Sequence, residues 1–123
     1  MSGECILIVE DNEKNMKLLR DVLGHRGYRV LEAVTGEEGV TLAREHAPDL
    51  ILMDIQLPGI DGIEAFEQLA DDPATKDIPV IAVTASAMQE ERARIEAVGF
   101  AGYQPKPIRL KEFMVAVEGA LGK

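Results

Sequence analysis

Short apolar runs alternate with segments of helical periodicity along this chain. The runs have the length of buried strands, and between them apolar residues recur three and four positions apart, as on one face of an amphipathic helix. Strands that alternate with helices in this way predict β-α units and a parallel sheet. The predicted strands are Cys5 to Val9, Arg29 to Ala33, Leu50 to Asp54, Val80 to Thr84 and a marginal Ala101 to Gln104.

Start and stop signals bound the predicted helices. Thr35 to Glu38 and Asp61 to Glu64 have the spacing of capping boxes, in which a side-chain oxygen accepts from an unpaired helix N–H and an acid reaches back. Ser86 to Gln89 is a weaker form of the same pattern. The predicted stops are Gly27, Pro48 and Asp71 to Pro73. The second helix is expected to bury Val40, Ala43 and Ala47.

The fourth predicted helix differs from the others because it is rich in charge and poor in apolar residues. Its apolar residues are Met88, Ile95 and Val98. We therefore expect it to be the least firmly held element. The last helix, in contrast, carries a continuous apolar stripe formed by Leu110, Phe113, Met114, Val117 and Leu121.

These elements predict an α/β fold, a single (βα)5 doubly wound parallel sheet that spans residues 1–123 as one domain. Right-handed crossovers would put helices on both faces of the sheet. With the flavodoxin-like strand order 2-1-3-4-5, the first and third strands lie side by side, and ligands bind at their carboxyl ends. The fifth strand is then an edge, which tolerates Pro105 and its missing N–H.

Composition narrows the function classes. The chain has 123 residues and a formal net charge of -9, and an acidic surface repels phosphate backbones and anionic lipids. Direct binding to nucleic acid or membrane is therefore not expected. The lone cysteine, Cys5, is expected to pack as a small apolar residue in a reducing compartment. Because no N-terminal run is long enough for a signal peptide or a membrane span, the expected location is the cytoplasm.

Polar residues stand at the carboxyl ends of the predicted strands, where the strand order brings them together. They are the acids Glu10, Asp11 and Asp54, the hydroxyl of Thr84 and the ammonium of Lys106. Clustered acids need a balancing cation, and a few hard oxygen ligands on an open site favour Mg²⁺. A carboxylate can attack phosphorus, while a lysine and a hydroxyl can bind phosphoryl oxygens. The set predicts a magnesium-dependent phosphoryl acceptor.

Four stretches resemble the signature segments of the response-regulator receiver domain, in the CheY-like superfamily. They are Ile6 to Asn12, Leu52 to Gly62, Val83 to Ala85 and Lys106 to Pro107. The resemblance spans essentially the whole chain, in the matching order and spacing. Two segments, Glu10 to Leu19 and Leu50 to Pro58, are also similar to the DivK type of single-domain regulator, and receivers of hybrid kinases share such segments.

The resemblance implies a role for each site residue. Glu10, Asp11, Asp54 and the backbone carbonyl of Gln56 would bind Mg²⁺, with Mn²⁺ as a substitute. Asp54 would also accept the phosphoryl group. Gln56 and Ser86 flank the site and are expected to tune the lifetime of the acyl phosphate.

The same resemblance implies a switch. Lys106 would contact the phosphoryl group, Thr84 would be the switch hydroxyl, and Tyr103 occupies the switch-aromatic position. The peptide bond between Lys106 and Pro107 is expected to be cis. On phosphorylation Thr84 is expected to move toward the phosphoryl group and Tyr103 to turn inward. The face formed by the fourth helix, the fifth strand and the last helix would then change shape.

The family implies a bacterial two-component signalling protein rather than an enzyme, one that assists its own phosphorylation and dephosphorylation. Its phosphoryl donor would be a histidine kinase or a phosphotransfer protein, and a downstream protein target would bind the switched face. The alternative is a receiver domain excised from a longer response regulator or hybrid histidine kinase.

Three other functions fit the pattern less well. A phosphatase of the haloacid-dehalogenase type requires a second Asp two residues after its nucleophile, where this chain has Gln56. A flavin or dinucleotide carrier requires a glycine-rich phosphate loop after the first strand, but Glu10 to Lys14 carries acids instead. A metal-free interaction module is expected to lack Asp54 or Lys106, and both are present.

Overall fold

Strands and helices alternate strictly in the computed structural model, which describes residues 3–85 and 88–122. The strands are β1 (Cys5–Val9), β2 (Arg29–Ala33), β3 (Leu50–Asp54), β4 (Val80–Thr84) and β5 (Gly102–Pro105). The helices are α1 (Glu13–His25), α2 (Gly36–His46), α3 (Gly62–Ala70), α4 (Gln89–Val98) and α5 (Leu110–Ala120). Within these described ranges, no helix has both the length and the apolar character that a membrane span requires.

The strands form one parallel sheet in the order β2-β1-β3-β4-β5, which confirms the predicted α/β fold and strand order. β1 lies between β2 and β3, and its last residue, Val9, pairs with Ala33 and Met53. Next along the sheet, Asp54 at the end of β3 pairs with Val83 of β4. The residues that follow β1, β3 and β4 therefore meet at one edge of the sheet.

The edge strand β5 begins one residue later than the predicted Ala101 to Gln104 and includes Pro105, which pairs with Thr84. The following N–H, of Lys106, donates to the Thr84 carbonyl at 2.8 Å. Because Lys106 supplies this bond, the Thr84 carbonyl is paired although Pro105 has no N–H. Its missing N–H therefore removes no bond from the ladder.

Helices cover both faces of the sheet, as right-handed crossovers require. α2, α3 and α4 pack on one face in a core cluster that includes Val9 and Ile95. α1 and α5 pack on the other face in a cluster that includes Ile8 and Phe113. β1, β3 and β4 are buried along their whole length. The strands that lead to the shared edge are thus fixed from both sides.

Local caps follow the sequence signals at two helices. At α3, Asp61 accepts from the Glu64 N–H at 2.9 Å and Glu64 accepts from the Asp61 N–H at 3.4 Å, so the predicted capping box is complete. At α2, Thr35 accepts from the Glu38 N–H at 3.1 Å. Glu38, however, accepts from the N–H of Val34, one residue earlier than in a capping box. The predicted box at α2 is therefore only half formed.

α4 is weakly anchored, in agreement with its sparse apolar pattern. Ser86, the first residue of the predicted third capping box, lies outside the described residues. The helix begins at Gln89, after an N-cap position occupied by Met88. Met88, which the sequence analysis counted among the apolar residues of the helix, therefore lies one residue before it, and its side chain is 64% exposed. Within the described stretch from residue 88 onward, Ile95 is the buried residue that ties α4 to the sheet.

The end of α2 also differs from the prediction. Ala47, expected on the buried face of the helix, lies beyond its last residue and is exposed. It adopts the left-handed conformation with φ 45°, and its N–H donates to the Ala43 carbonyl at 2.9 Å. Because this cap conformation is usually taken by glycine, the spacing of apolar residues gives no sign of it here.

Candidate functional site

Glu10, Asp11 and Asp54 lie together at the carboxyl edge of the sheet. Oxygen atoms of the three carboxylates are within 4.8 Å of one another. Glu10 and Asp54 are only 1% and 3% exposed, whereas Asp11 faces solvent. The structure therefore brings together the acids that the sequence singled out, two of them buried and one open to water.

Lys106 bridges the two buried acids. Its ammonium nitrogen lies 2.9 Å from Glu10 Oε1 and 3.1 Å from Asp54 Oδ2. The backbone N–H of Lys106 is fixed by its bond to Thr84, so the side chain starts from an anchored point at the end of β5. The peptide bond to Pro107 is cis, as expected. The lysine thus lies among the acids rather than at the rim of the site.

Backbone N–H groups orient both buried carboxylates. The Asn12 N–H donates to Glu10 Oε2 at 3.1 Å, and the Gln56 N–H donates to Asp54 Oδ1 at 3.0 Å. The N–H of Glu10 in turn donates to the Ala33 carbonyl at 3.0 Å. Each buried carboxylate therefore has one oxygen on a backbone donor and the other oxygen on the lysine.

The backbone that carries Asp54 is held close to the start of α3. A Cβ added at Gly62 would lie 2.7 Å from the Ile55 Cα and would clash with the carbonyl oxygen of Asp54. The Gly62 N–H donates to the Ile55 carbonyl at 3.0 Å. This approach requires glycine, because any side chain would separate the helix start from the loop after β3.

Burial and charge shift two pKa values at the site. Burial raises the pKa of Glu10 and the Asp54 carboxylate adds to the rise, while Lys106 and the Asn12 N–H oppose it. For Lys106, burial by itself lowers the pKa, but Glu10 and Asp54 outweigh that effect and leave the pKa above its usual value. Lys106 therefore stays charged, and Glu10 depends on nearby positive charge to remain ionised.

The donor set fits a hard divalent cation. Carboxylate oxygens are the ligands that Mg²⁺ prefers, and the exposed Asp11 leaves room for the waters that Mg²⁺ keeps. Apart from the Lys106 ammonium, Glu10 Oε1 receives no hydrogen bond of good geometry from the described part of the chain, although it is buried. A cation would satisfy this oxygen. Gln56, expected to offer its backbone carbonyl, lies in the adjoining loop with an exposed side chain.

The two predicted switch residues both contact α4. The fully buried Thr84 donates its hydroxyl proton to Glu91 Oε1 at 3.1 Å. The guanidinium of Arg92 lies over the Tyr103 ring, 5.2 Å from its centre. Sequence reasoning missed Glu91 and Arg92. Charged residues on a polar helix are expected to face solvent, and the sequence does not show which of them the rotation of the helix turns toward the sheet. Ser86 lies outside the described residues.

A protein-family match, similar sequences and similar solved structures all point to response regulators. Residues 6–118 match the family described as the response regulator receiver domain. The polar-differentiation response regulator DivK of Brucella ovis is 49% identical over 119 residues, which cover 97% of either chain. DivK of Brucella anthropi has the same identity and coverage.

Solved structures agree with this assignment. A putative response regulator from Chloroflexus aurantiacus has a TM-score of 0.93 at 30% identity, over 98% of this chain and 99% of that one. The receiver domain of a sensor histidine kinase from Pseudomonas aeruginosa has a TM-score of 0.91 at 33% identity, with the same coverage. That domain has a magnesium ion coordinated in its active site cleft. Since the matched region takes in every site residue from Glu10 to Lys106, the chain belongs to the family of response regulator receiver domains.

Proposed function

We propose that this protein is a two-component signalling receiver that accepts a phosphoryl group on Asp54 from a histidine kinase or a phosphotransfer protein. One observation carries the proposal: Asp54 is buried beside two further acids, with the ammonium of Lys106 held between it and Glu10. Like charges are costly in a protein interior unless a counter-charge compensates them. A cluster of buried acids therefore indicates a function. An aspartate that only caps the end of a strand would not need two neighbouring acids and a lysine.

Glu10, Asp11, Asp54 and the backbone carbonyl of Gln56 would hold Mg²⁺, with Mn²⁺ as a substitute. When bound, the ion neutralises the negative charge of the phosphoryl oxygens during transfer. The all-oxygen donor set supports this choice over softer metals. Similarity to a receiver with magnesium in its cleft supports it as well.

Transfer forms a bond between an Asp54 carboxylate oxygen and phosphorus while the bond from phosphorus to the donor breaks, which leaves an acyl phosphate. The Gln56 N–H holds Oδ1 and Lys106 faces Oδ2, so the nucleophile has a fixed orientation before the donor arrives. Lys106, as a compact point charge, then neutralises the transferred phosphoryl oxygens. In this way the chain assists its own phosphorylation and dephosphorylation, and Gln56 and Ser86 tune the lifetime of the product.

Output follows from the charge and acceptor oxygens that phosphorylation adds. Thr84 turns toward the phosphoryl group, Tyr103 moves inward, and the face formed by α4, β5 and α5 presents a new surface to a downstream protein. The sparse anchoring of α4 supports a moving element on this face.

The test is intact mass after incubation with acetyl phosphate and Mg²⁺. We expect the wild-type protein to gain the mass of one phosphoryl group, because every group that transfer requires is present in one chain. Asp54→Asn should gain nothing, and a chelator should abolish the gain in the wild-type protein.

Asp77→Asn is a matched control, since it neutralises an exposed acid in the loop before β4. It should be phosphorylated like the wild-type protein. Phosphorylation of Asp54→Asn, or of the wild-type protein in the presence of chelator, would contradict the proposal.

A further inference from the structure

The hydroxyl of Thr84 has a single proton to donate, and in this structure it forms a hydrogen bond to a side chain of α4. Thr84 Oγ1 lies 3.1 Å from Glu91 Oε1. An ionised carboxylate only accepts, so the hydroxyl is the donor. The bond is charge-assisted, and Thr84 is fully buried while Glu91 is partly buried. Both properties make this bond stronger than an exposed contact between neutral groups.

Phosphoryl oxygens are also acceptors. A Thr84 hydroxyl that donates to Glu91 cannot give the same proton to a phosphoryl group on Asp54, so the two acceptors compete for one donor. We propose that Glu91 is a positioning residue that holds Thr84 in the unphosphorylated arrangement and thereby opposes the switch. This inference rests on the function proposed above. It adds a residue that makes the change to the phosphorylated arrangement less favourable.

A second contact supports the same conclusion. Arg92, the next residue of α4, covers the ring of Tyr103, and Tyr103 packs against the core cluster on that face. Two consecutive residues of α4 thus hold the two switch side chains, one on β4 and the other on β5. When Thr84 leaves Glu91, the first turn of α4 loses a tether, and Arg92 moves with that turn.

α4 is suited to respond to the loss of one bond. Among the described residues of α4, Ile95 is the one buried in the core, and the first turn carries the acids Glu90 and Glu91. An element with few buried contacts opens at low cost, so a single side-chain bond forms a large part of what holds it.

The experiment removes the competing acceptor and measures the affinity for a phosphoryl mimic. A contact made only in the unphosphorylated state weakens binding of any ligand that selects the other state. Glu91→Ala removes the acceptor, whereas Glu91→Gln keeps a neutral oxygen at the same position. With Mg²⁺ present, we expect the Kd for beryllium fluoride to fall about tenfold in Glu91→Ala and about threefold in Glu91→Gln, the graded order of charged and neutral acceptors.

Glu90→Ala is the matched control. It removes an exposed acid from the same first turn of α4 and leaves the partner of Thr84 in place. Its Kd should equal the wild-type value, which separates the Thr84 contact from the general effect of negative charge at a helix N-terminus.

The second readout follows Tyr103 directly. The chain has 2 tyrosines, so protein labelled with 3-fluorotyrosine gives two ¹⁹F signals, and Tyr28→Phe assigns them. Without beryllium fluoride, the Tyr103 signal of Glu91→Ala should shift toward the position that it takes in the saturated wild-type protein. The signal of the buried Tyr28 should stay in place. A residue with a merely structural role would not move Tyr103 selectively.

The outcomes separate the two proposals. If the wild-type protein is phosphorylated by acetyl phosphate but the Glu91 variants match it in Kd and in the Tyr103 signal, the inference is overturned and the proposed function stands. Weaker binding in Glu91→Ala overturns the inference as well. If the wild-type protein gains no phosphoryl group and binds no beryllium fluoride, both fail together.

Discussion

At the scale of single residues, Lys106 compensates the charge of the acidic cluster. It lies within 3.1 Å of two carboxylates that are almost fully buried. Removing one partner of a buried ion pair typically costs about 3–5 kcal/mol, because the remaining charge is left uncompensated. Lys106 therefore serves the fold, because its ammonium compensates the charge of two buried carboxylates.

Cys5 is a residue whose reactivity the fold suppresses. Burial raises the pKa of its thiol above the ordinary value of 9.0; Arg29 opposes the rise and Asp49 adds to it. Because the thiolate is the reactive form, we expect iodoacetamide to modify the native protein at least about tenfold more slowly at pH 9 than the urea-unfolded protein. Mass spectrometry of timed samples measures both rates.

The same shift fixes the sign of a pH effect on stability. The thiol ionises less readily in the folded protein than in the unfolded one. Its contribution to the free energy of unfolding is therefore fully present below the unfolded pKa of 9.0 and is lost as the pH rises further. Cys5→Ala should remove this part of the decline in the free energy of unfolding above pH 9. Equal alkylation rates in the native and unfolded proteins would contradict the assignment.

At the scale of elements, the sequence predicted the strands and helices that follow from the repeated pattern of apolar residues. Run length and alternation predict the strands. With the flavodoxin-like strand order taken for this alternation, the acids at the strand ends are expected to lie close together. Single-residue choices at element ends were missed, as at Ala47 and at the start of β5, because they differ by little energy. The partners of Thr84 and Tyr103 were missed for another reason: they depend on how α4 is rotated against the sheet, which its sparse apolar residues do not fix.

Gly62 joins an element to the site, and its replacement tests that link. In Gly62→Ala the new methyl group would clash with the Asp54 carbonyl and press on Ile55. We expect the free energy of unfolding to fall by about 1–3 kcal/mol, the usual cost of overpacking. Urea unfolding followed by circular dichroism measures the change.

Gly24→Ala provides the matched control, because Gly24 lies within α1 and an added Cβ meets nothing within 4 Å. That variant should gain about 0.5–1 kcal/mol from the better helix propensity of alanine. Equal effects of the two substitutions would argue against a tight approach at Gly62.

At the scale of the whole molecule, a net charge of -9 opposes compactness, and the acidic cluster concentrates part of that charge in one place. A cation that binds only the folded state stabilises the entire fold by mass action. We therefore expect Mg²⁺ at about 100 times its Kd to raise the free energy of unfolding by about 2.7 kcal/mol. Thermal unfolding with and without Mg²⁺ measures this as a rise in Tm.

Asp11→Asn should lose most of that gain at the same Mg²⁺ concentration, since it removes the proposed ligand that is open to solvent. Asp77→Asn, which neutralises an exposed acid elsewhere, should keep the full gain. A rise in Tm that is equal in all three proteins would mean that Mg²⁺ acts on the general surface charge and not at the cluster.

The two outer strands of the sheet discourage pairing with the sheet edges of other molecules. β5 is four residues long and ends in Pro105, while β2 exposes Arg29 and Glu32, the latter paired with Arg20 at 3.1 Å. Short, charged or proline-bearing borders discourage the edge-to-edge growth that leads to fibrils. We therefore expect partners to recognise helices and loops rather than extend the sheet, and a crowded solution of this protein to resist amyloid-like aggregation.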